Sequence, residues 1–293
     1  MALAQESQTS GWRAELRLAC ELATPGLASG EGMKSVIRGR SRCGPLALQR
    51  VLYPEGASPC HAIVLHPPGG VAGGDFLAVD VSVAPGAALF STTPASTKFY
   101  KSGGRRATSE QRLRVARGGC LEWFPQETLV FDRADLTLDT EVELEPDSHF
   151  AAWEIVCLGR HFMGETFRHG RLVQQWTVWR RGRHRRRVFH ERLVLDAADP
   201  LRNAPWGLQG RRVLGSLLLS CAQPETEQHL RQRLENAAGA GLVVGLTRLD
   251  GLVVLRALAD APQSVRQVFE AAWGQWRRSE RRLDAHRPRI WDT

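Results

Sequence analysis

Apolar and polar residues alternate one by one through much of the first 210 residues of this chain. A period of two commits a segment to a strand with one buried and one wet face. Leu16, Leu18, Cys20 and Leu22 alternate with Arg17, Ala19 and Glu21, and Leu136, Leu138, Thr140, Val142 and Leu144 alternate with Thr137, Asp139, Glu141 and Glu143. Further strands are expected at residues 36–40, 46–53, 60–66, 77–83, 88–93, 112–116, 121–124, 128–131, 150–158, 172–179 and 188–195, punctuated by Gly, Pro, Asp or Ser. Strands this short and numerous predict a mainly β fold, a large irregular antiparallel domain of stacked or coiled sheets. No fixed repeat period emerges, so neither a propeller nor a regular solenoid is expected.

The last third changes character. After an apolar run at 213–220, Pro224 opens a segment with Glu225 and Glu227 in its first turn, Leu230 and Leu234 four apart, and Gly239 at its end. These are helix start and stop signals. Residues 242–249 and 252–258 then read as two strands joined by the tight turn Asp250-Gly251. A second helix follows, with Val265, Val268, Phe269, Ala272, Trp273 and Trp276 on one face and a capping box of Ser264 and Gln267. The two tryptophans are core anchors, and the tail 288–291 is a candidate docking strand. The sequence therefore divides into a disordered tail over 1–10 and one domain over 11–293, all-β to residue 210 and β-α-β-β-α beyond it.

The first ten residues lack a cationic and an apolar leader region, and no apolar run approaches the ~18 residues a membrane helix needs. A cytoplasmic protein with no membrane association is expected. The six cysteines are far apart, which favours reduced, mostly buried thiols over a disulfide framework or a zinc site. The net charge of +8 comes largely from Arg180, Arg181, Arg183, Arg185, Arg186 and Arg187, preceded by Trp176 and Trp179. Arginines beside aromatics are a nucleic-acid signal. Compressed around Gly182 between two strands, they read better as a solvated hairpin tip, or one that binds an acidic protein.

Residues 65–75 read Leu-His-Pro-Pro-Gly-Gly-Val-Ala-Gly-Gly-Asp, a sharp bend nearly free of side chains. It is no phosphate loop, because no lysine and no helix follow. Gly-x-Ser-x-Gly and His-Glu-x-x-His are also absent, so the familiar hydrolase signatures fail. What remains is a scatter of candidate metal ligands: His61, His66, Asp75, Glu127, Glu154, Glu165, His190 and Glu191. Carboxylate and imidazole suit nickel or zinc, but only the fold can bring them together.

Four segments taken in order, 66–75 (HPPGGVAGGD), 92–102 (TTPASTKFYKS), 123–132 (WFPQETLVFD) and 153–167 (WEIVCLGR followed by GETF), resemble the ordered motifs of the UreD family of urease accessory proteins, called UreH in some bacteria. The resemblance runs from about Gly11 to Trp291. It implies a non-catalytic scaffold with no tightly bound cofactor, which binds UreF directly and the GTPase UreG through UreF, with two copies of each protein, and delivers nickel to apo-urease. It also implies a polar interior path for nickel in transit. By motif match Asp75, Glu154 and Glu191 are the carboxylates along it, with Ser96, Arg160 and His66 in support. Carboxylates that hold a cation weakly at successive places suit such a conduit. Candidate partner contacts are Arg185, Arg186 and Arg187 at the tip and Arg277 and Arg278 on the last helix, whose side with Arg266, Glu270 and Arg281 reads equally as solvated surface.

Overall fold

The computed structural model describes residues 11–23, 33–221, 223–237 and 241–292. The expected N-terminal tail lies outside them. In order, the strands are β1 (Arg13–Ala23), β2 (Lys34–Cys43), β3 (Ala47–Leu48), β4 (Cys60–Leu65), β5 (Phe76–Val83), β6 (Ala88–Thr92), β7 (Thr97–Phe99) and β8 (Ala107–Val115). Then come β9 (Cys120–Phe124), β10 (Thr128–Val130), β11 (Ala134–Leu144), β12 (His149–Leu158), β13 (Gly170–Arg181), β14 (Arg185–Asp196) and β15 (Val213–Ser220). Helix α1 (Pro224–Ala237), strands β16 (Leu242–Leu249) and β17 (Leu252–Ala259) and helix α2 (Pro262–Trp276) close the chain.

Two stacked sheets result, and the chain crosses between them at most turns. One has the order β14-β13-β11-β8-β5-β1-β2, and the other β16-β17-β15-β12-β9-β6-β4-β3, with β10 and β7 alongside β12. A mainly β, coiled fold with two late helices is as expected; the pairing sense is not. The central pairs β1–β5, β5–β8, β8–β11 and β11–β13 are parallel, as are β4–β6, β6–β9 and β9–β12, while antiparallel pairs flank them. Alternation reports which face is buried and is the same for either sense; the sense depends on where each connection leads. The stack is solenoid-like but uneven. β5, β8, β11 and β13 start at residues 76, 107, 134 and 170, intervals of 31, 27 and 36, so no repeat period shows in the sequence.

One core lies between the sheets, around Leu16, Leu113, Leu136, Phe150, Leu172 and Trp176. A second lies on the outer side of the larger sheet, where α2 packs Phe269, Trp273 and Trp276 against Phe90, Phe124 and Trp153. Each such aromatic contributes roughly 1.5–3 kcal/mol by leaving water. α2 buries the face its spacing predicts, but its N-cap is Ala261 with Pro262 in the first turn, not the Ser264 capping box, because proline at the start spares an amide that has no partner there. The tail forms a 3-10 turn over Arg289–Asp292, not a strand. It places Trp291 in the aromatic cluster, with Nε1 donating to Thr92 Oγ1 at 2.8 Å. The predicted strand at 46–53 shrinks to β3 and a single bridge from Leu52 to His61. The hairpins at 182–184 and Asp250-Gly251 are where the sequence puts them, the latter with φ of 46° and 75°.

The two ends of the sandwich differ. At one, short turns such as 84–87, 116–119 and 145–148 link the sheets; at the other, the longer connections 66–75, 93–106, 125–133 and 159–169 do, carrying β7, β10 and most of the four motifs, while residues 153–158 lie within β12.

Candidate functional site

Side chains of one parity on each inner face point between the sheets, and most are apolar. One level is not. Register aligns Gln111, Thr140, Trp176 and Glu191 across β8, β11, β13 and β14. On the facing sheet Ser91 pairs with Trp123, and Glu154, Ser216 and Arg256 align across β12, β15 and β17. All share the parity of the inter-sheet core; Trp123 stands opposite Ala152, so Ser91 and Trp123 lie one inward position before Glu154, and together these residues form a polar band through the core. Trp123 Nε1 donates to Gln111 Oε1 at 2.6 Å, and Arg256 pairs with Glu191 where the layer reaches the edge.

Between these bridges the layer is under-satisfied. Among the described residues Ser91 Oγ, Thr140 Oγ1, Trp176 Nε1 and one oxygen of Glu154, Oε2, are buried without a hydrogen-bond partner. Such a group costs ~1–3 kcal/mol unless water or a ligand satisfies it. Glu154 is only 4% exposed. Burial pushes its carboxyl up to about 7; the nearby Gln174 and Trp176 pull it part of the way back, and the charge of Asp139 adds to the rise. A reluctant carboxylate in a band that leaves three other buried polar groups open accepts water or a hydrated cation.

The other expected path residues lie elsewhere. Asp75 accepts from the backbone N–H of Trp12 through Oδ1 and of Ala72 through Oδ2, both at 2.8 Å, so it locks the bend. It sits four residues from Val79, the β5 position level with Gln111 and Thr140, or about 13 Å along the strand. The glycines leave room for neighbouring backbone, not for a channel. A Cβ on Gly73 would meet Ser102 O at 1.9 Å, and one on Gly70 would meet the Tyr100 ring. His66 beside them is pulled down by burial against the opposing charge of Asp75.

Ser96 Oγ donates to Glu127 Oε2 at 3.1 Å, and Glu127 also takes Arg266 from α2. Arg160 does not hold a path carboxylate; it bonds Glu165 and stacks on Phe131 at 4.5 Å. Glu165 in turn accepts from the Asp132 N–H. His190 pairs with Thr177 Oγ1 and His61 with Glu55. Of the candidate ligands only Glu154 and Glu191 share the layer, and no three such groups converge among the described residues.

The partner-contact expectation is corrected at Arg277, which is fully buried, and the solvated-face reading at Arg266, whose side chain is 13% exposed. Arg277 follows Trp273 by four residues and so lies on the face that meets the sheet, where Glu122 and Glu55 take its charge, and Glu127 takes that of Arg266. At the hairpin tip Arg185 binds Glu141 at 2.5 Å and stacks on Trp179, and Arg186 pairs with Asp250.

Sequence reasoning missed Gln111, Gln174 and Arg256, and the carboxylates Glu55 and Glu122. The available signal was polarity at inward positions of alternating strands, as with Thr140 amid Leu136, Leu138, Val142 and Leu144.

Fold and site together define a coiled, mainly β protein with an open polar layer in its core and a helical clamp over one sheet. The profile of the family described as UreD urease accessory protein matches residues 13–292. Proteins named urease accessory protein UreD are 37% identical in Dechloromonas aromatica (strain RCB), over 100% of this chain and 99% of that protein, and 40% identical in Alkalilimnicola ehrlichii, over 97% and 92%. The chain belongs to the UreD urease accessory protein family.

Proposed function

We propose that this chain is a non-catalytic scaffold in urease maturation, that it binds UreF directly and UreG through UreF, and that nickel on its way to apo-urease crosses the polar layer between the sheets. Family membership supports the role in maturation. One observation carries the route: Glu154, a buried carboxylate with an unpartnered oxygen beside Trp176, in a band that also leaves Ser91 and Thr140 unpartnered. A cation entering there gains a carboxylate oxygen and displaces the proton that burial favours on it. The layer offers no closed cage, which suits passage better than storage. Glu191 belongs to the same layer but serves first as counter-ion to Arg256.

Co-expression with apo-urease, UreF and UreG tests the reading. Glu154→Ala is expected to lower nickel per purified urease several-fold while the accessory complex still co-purifies. Unchanged nickel content removes the route.

A further inference from the structure

Exposed large apolar side chains gather at the long-loop end. Phe162 and Met163, in the loop after β12, are 83% and 74% exposed, and Trp206, in the loop after β14, is 84% exposed. Phe162 and Met163 border a groove of about 230 Å³ whose other walls include Leu129, Val213 and Pro262. Apolar side chains held this far into water next to an apolar cleft mark a surface that another molecule covers.

The groove's charge says what kind of molecule. Arg160, which pairs with Glu165, and Arg212 line it, and its one acidic lining residue among those described, Asp260, is engaged by Arg211. The first residues of α2 line it as well. Ala261 makes no side-chain cap bond and Pro262 follows, so the positive end of a 15-residue helix opens beside the apolar wall. An apolar cleft with a positive rim of guanidinium groups and helix amides complements a protein segment that inserts bulky apolar side chains and carries carboxylates beside them. The arginine-rich tip at the other end is a weaker candidate, since among the described residues no large apolar side chain stands exposed on it.

We propose that this groove, with Phe162 and Met163 as its anchors, is the seat of the protein partner that binds the chain directly, through an apolar segment flanked by acidic residues. This rests on the reading above that the chain works by binding an accessory protein. The test uses full-length chain on a biosensor carrying purified UreF. Phe162→Asp and Met163→Asp are each expected to raise Kd about tenfold or more, while Arg187→Glu leaves it unchanged. Raising the sodium chloride concentration is expected to weaken wild-type binding. Both anchors stand mostly in solvent, so unchanged thermal melts of the variants would confirm that they fold. Wild-type binding with unaltered Kd for both anchor variants overturns the groove, as does a loss confined to apo-urease. Failure of the wild-type chain to bind UreF overturns the functional reading itself.

Discussion

Two buried glutamates on neighbouring strands of the larger sheet point to opposite faces and have opposite surroundings. Glu122 of β9 faces α2, where Trp273 Nε1 donates to it at 2.5 Å and Arg277 bonds both of its oxygens at 2.9 and 3.0 Å. Arg277 also binds Glu55 at 2.6 Å and the carbonyl of Asp284 at 2.8 Å, and Glu55 takes His61 at 2.7 Å. Glu154 of β12 faces the other sheet, with one oxygen unpartnered and no guanidinium upon it. The first region is a closed ionic lock that ties the end of α2 to the sheet. The second is left open in a core that could have been filled with leucine, and it is there that passage of a cation is proposed. A buried charge alone therefore does not mark a functional site; its unmet valence does.

The difference can be broken most forcefully at the lock. Arg277→Ala leaves Glu122 and Glu55 without their counter-ion, and a loss of about 3–5 kcal/mol is expected in urea unfolding. Glu122→Gln combined with Arg277→Met removes both charges and should recover part of that loss; no recovery would mean the arginine acts by packing on Trp273, whose ring it covers at 4.9 Å.

At the open layer the sign reverses. The Glu154 carboxyl is raised from 4.5 to about 7, so the folded state holds a proton that the unfolded chain has lost. Stability should fall as pH rises from 4.5 and level off above about 7, a penalty on the order of 3 kcal/mol. Glu154→Gln is expected to abolish that slope and raise the melting temperature at pH 8, even as it impairs nickel delivery. A variant no more stable than wild type at pH 8 would show that the layer already satisfies its charge.

An effect of similar size and opposite sign belongs to the rim of the lock. Burial opposes ionisation of Glu55, but hydrogen bonds and charges from His61 and Arg277 prevail and hold its carboxyl down at about 2. Its contribution, on the order of 3 kcal/mol, should be present above pH 4.5 and vanish as pH falls toward 2. Glu55→Gln should flatten acid unfolding in that window, read by circular dichroism.

The strands were legible because each must bury one face, and Leu136 to Leu144 could satisfy that only as a strand. α2 was legible from Val265, Phe269 and Trp276 for the same reason at a different period. The site was legible in part. Glu154 came from its motif, yet Asp75, from a stronger motif, turned out to lock a turn through Trp12 and Ala72. Arg277 follows Trp273 by four residues and shares its buried face, but its charge read as surface because no local pattern shows that Glu122 and Glu55 wait there as counter-ions.

By itself, then, the sequence determined the kind of local structure, the inward and outward faces, and the family. Those depend on neighbours within a few residues or on ordered motifs. The parallel sense of the sheets, the alignment of Gln111, Thr140, Glu154 and Arg256 into one level, and the pairing of Arg277 with Glu55 across 222 residues were decided only by tertiary structure. Register and counter-ions are relations between distant segments, and no local pattern encodes which strand will lie beside which.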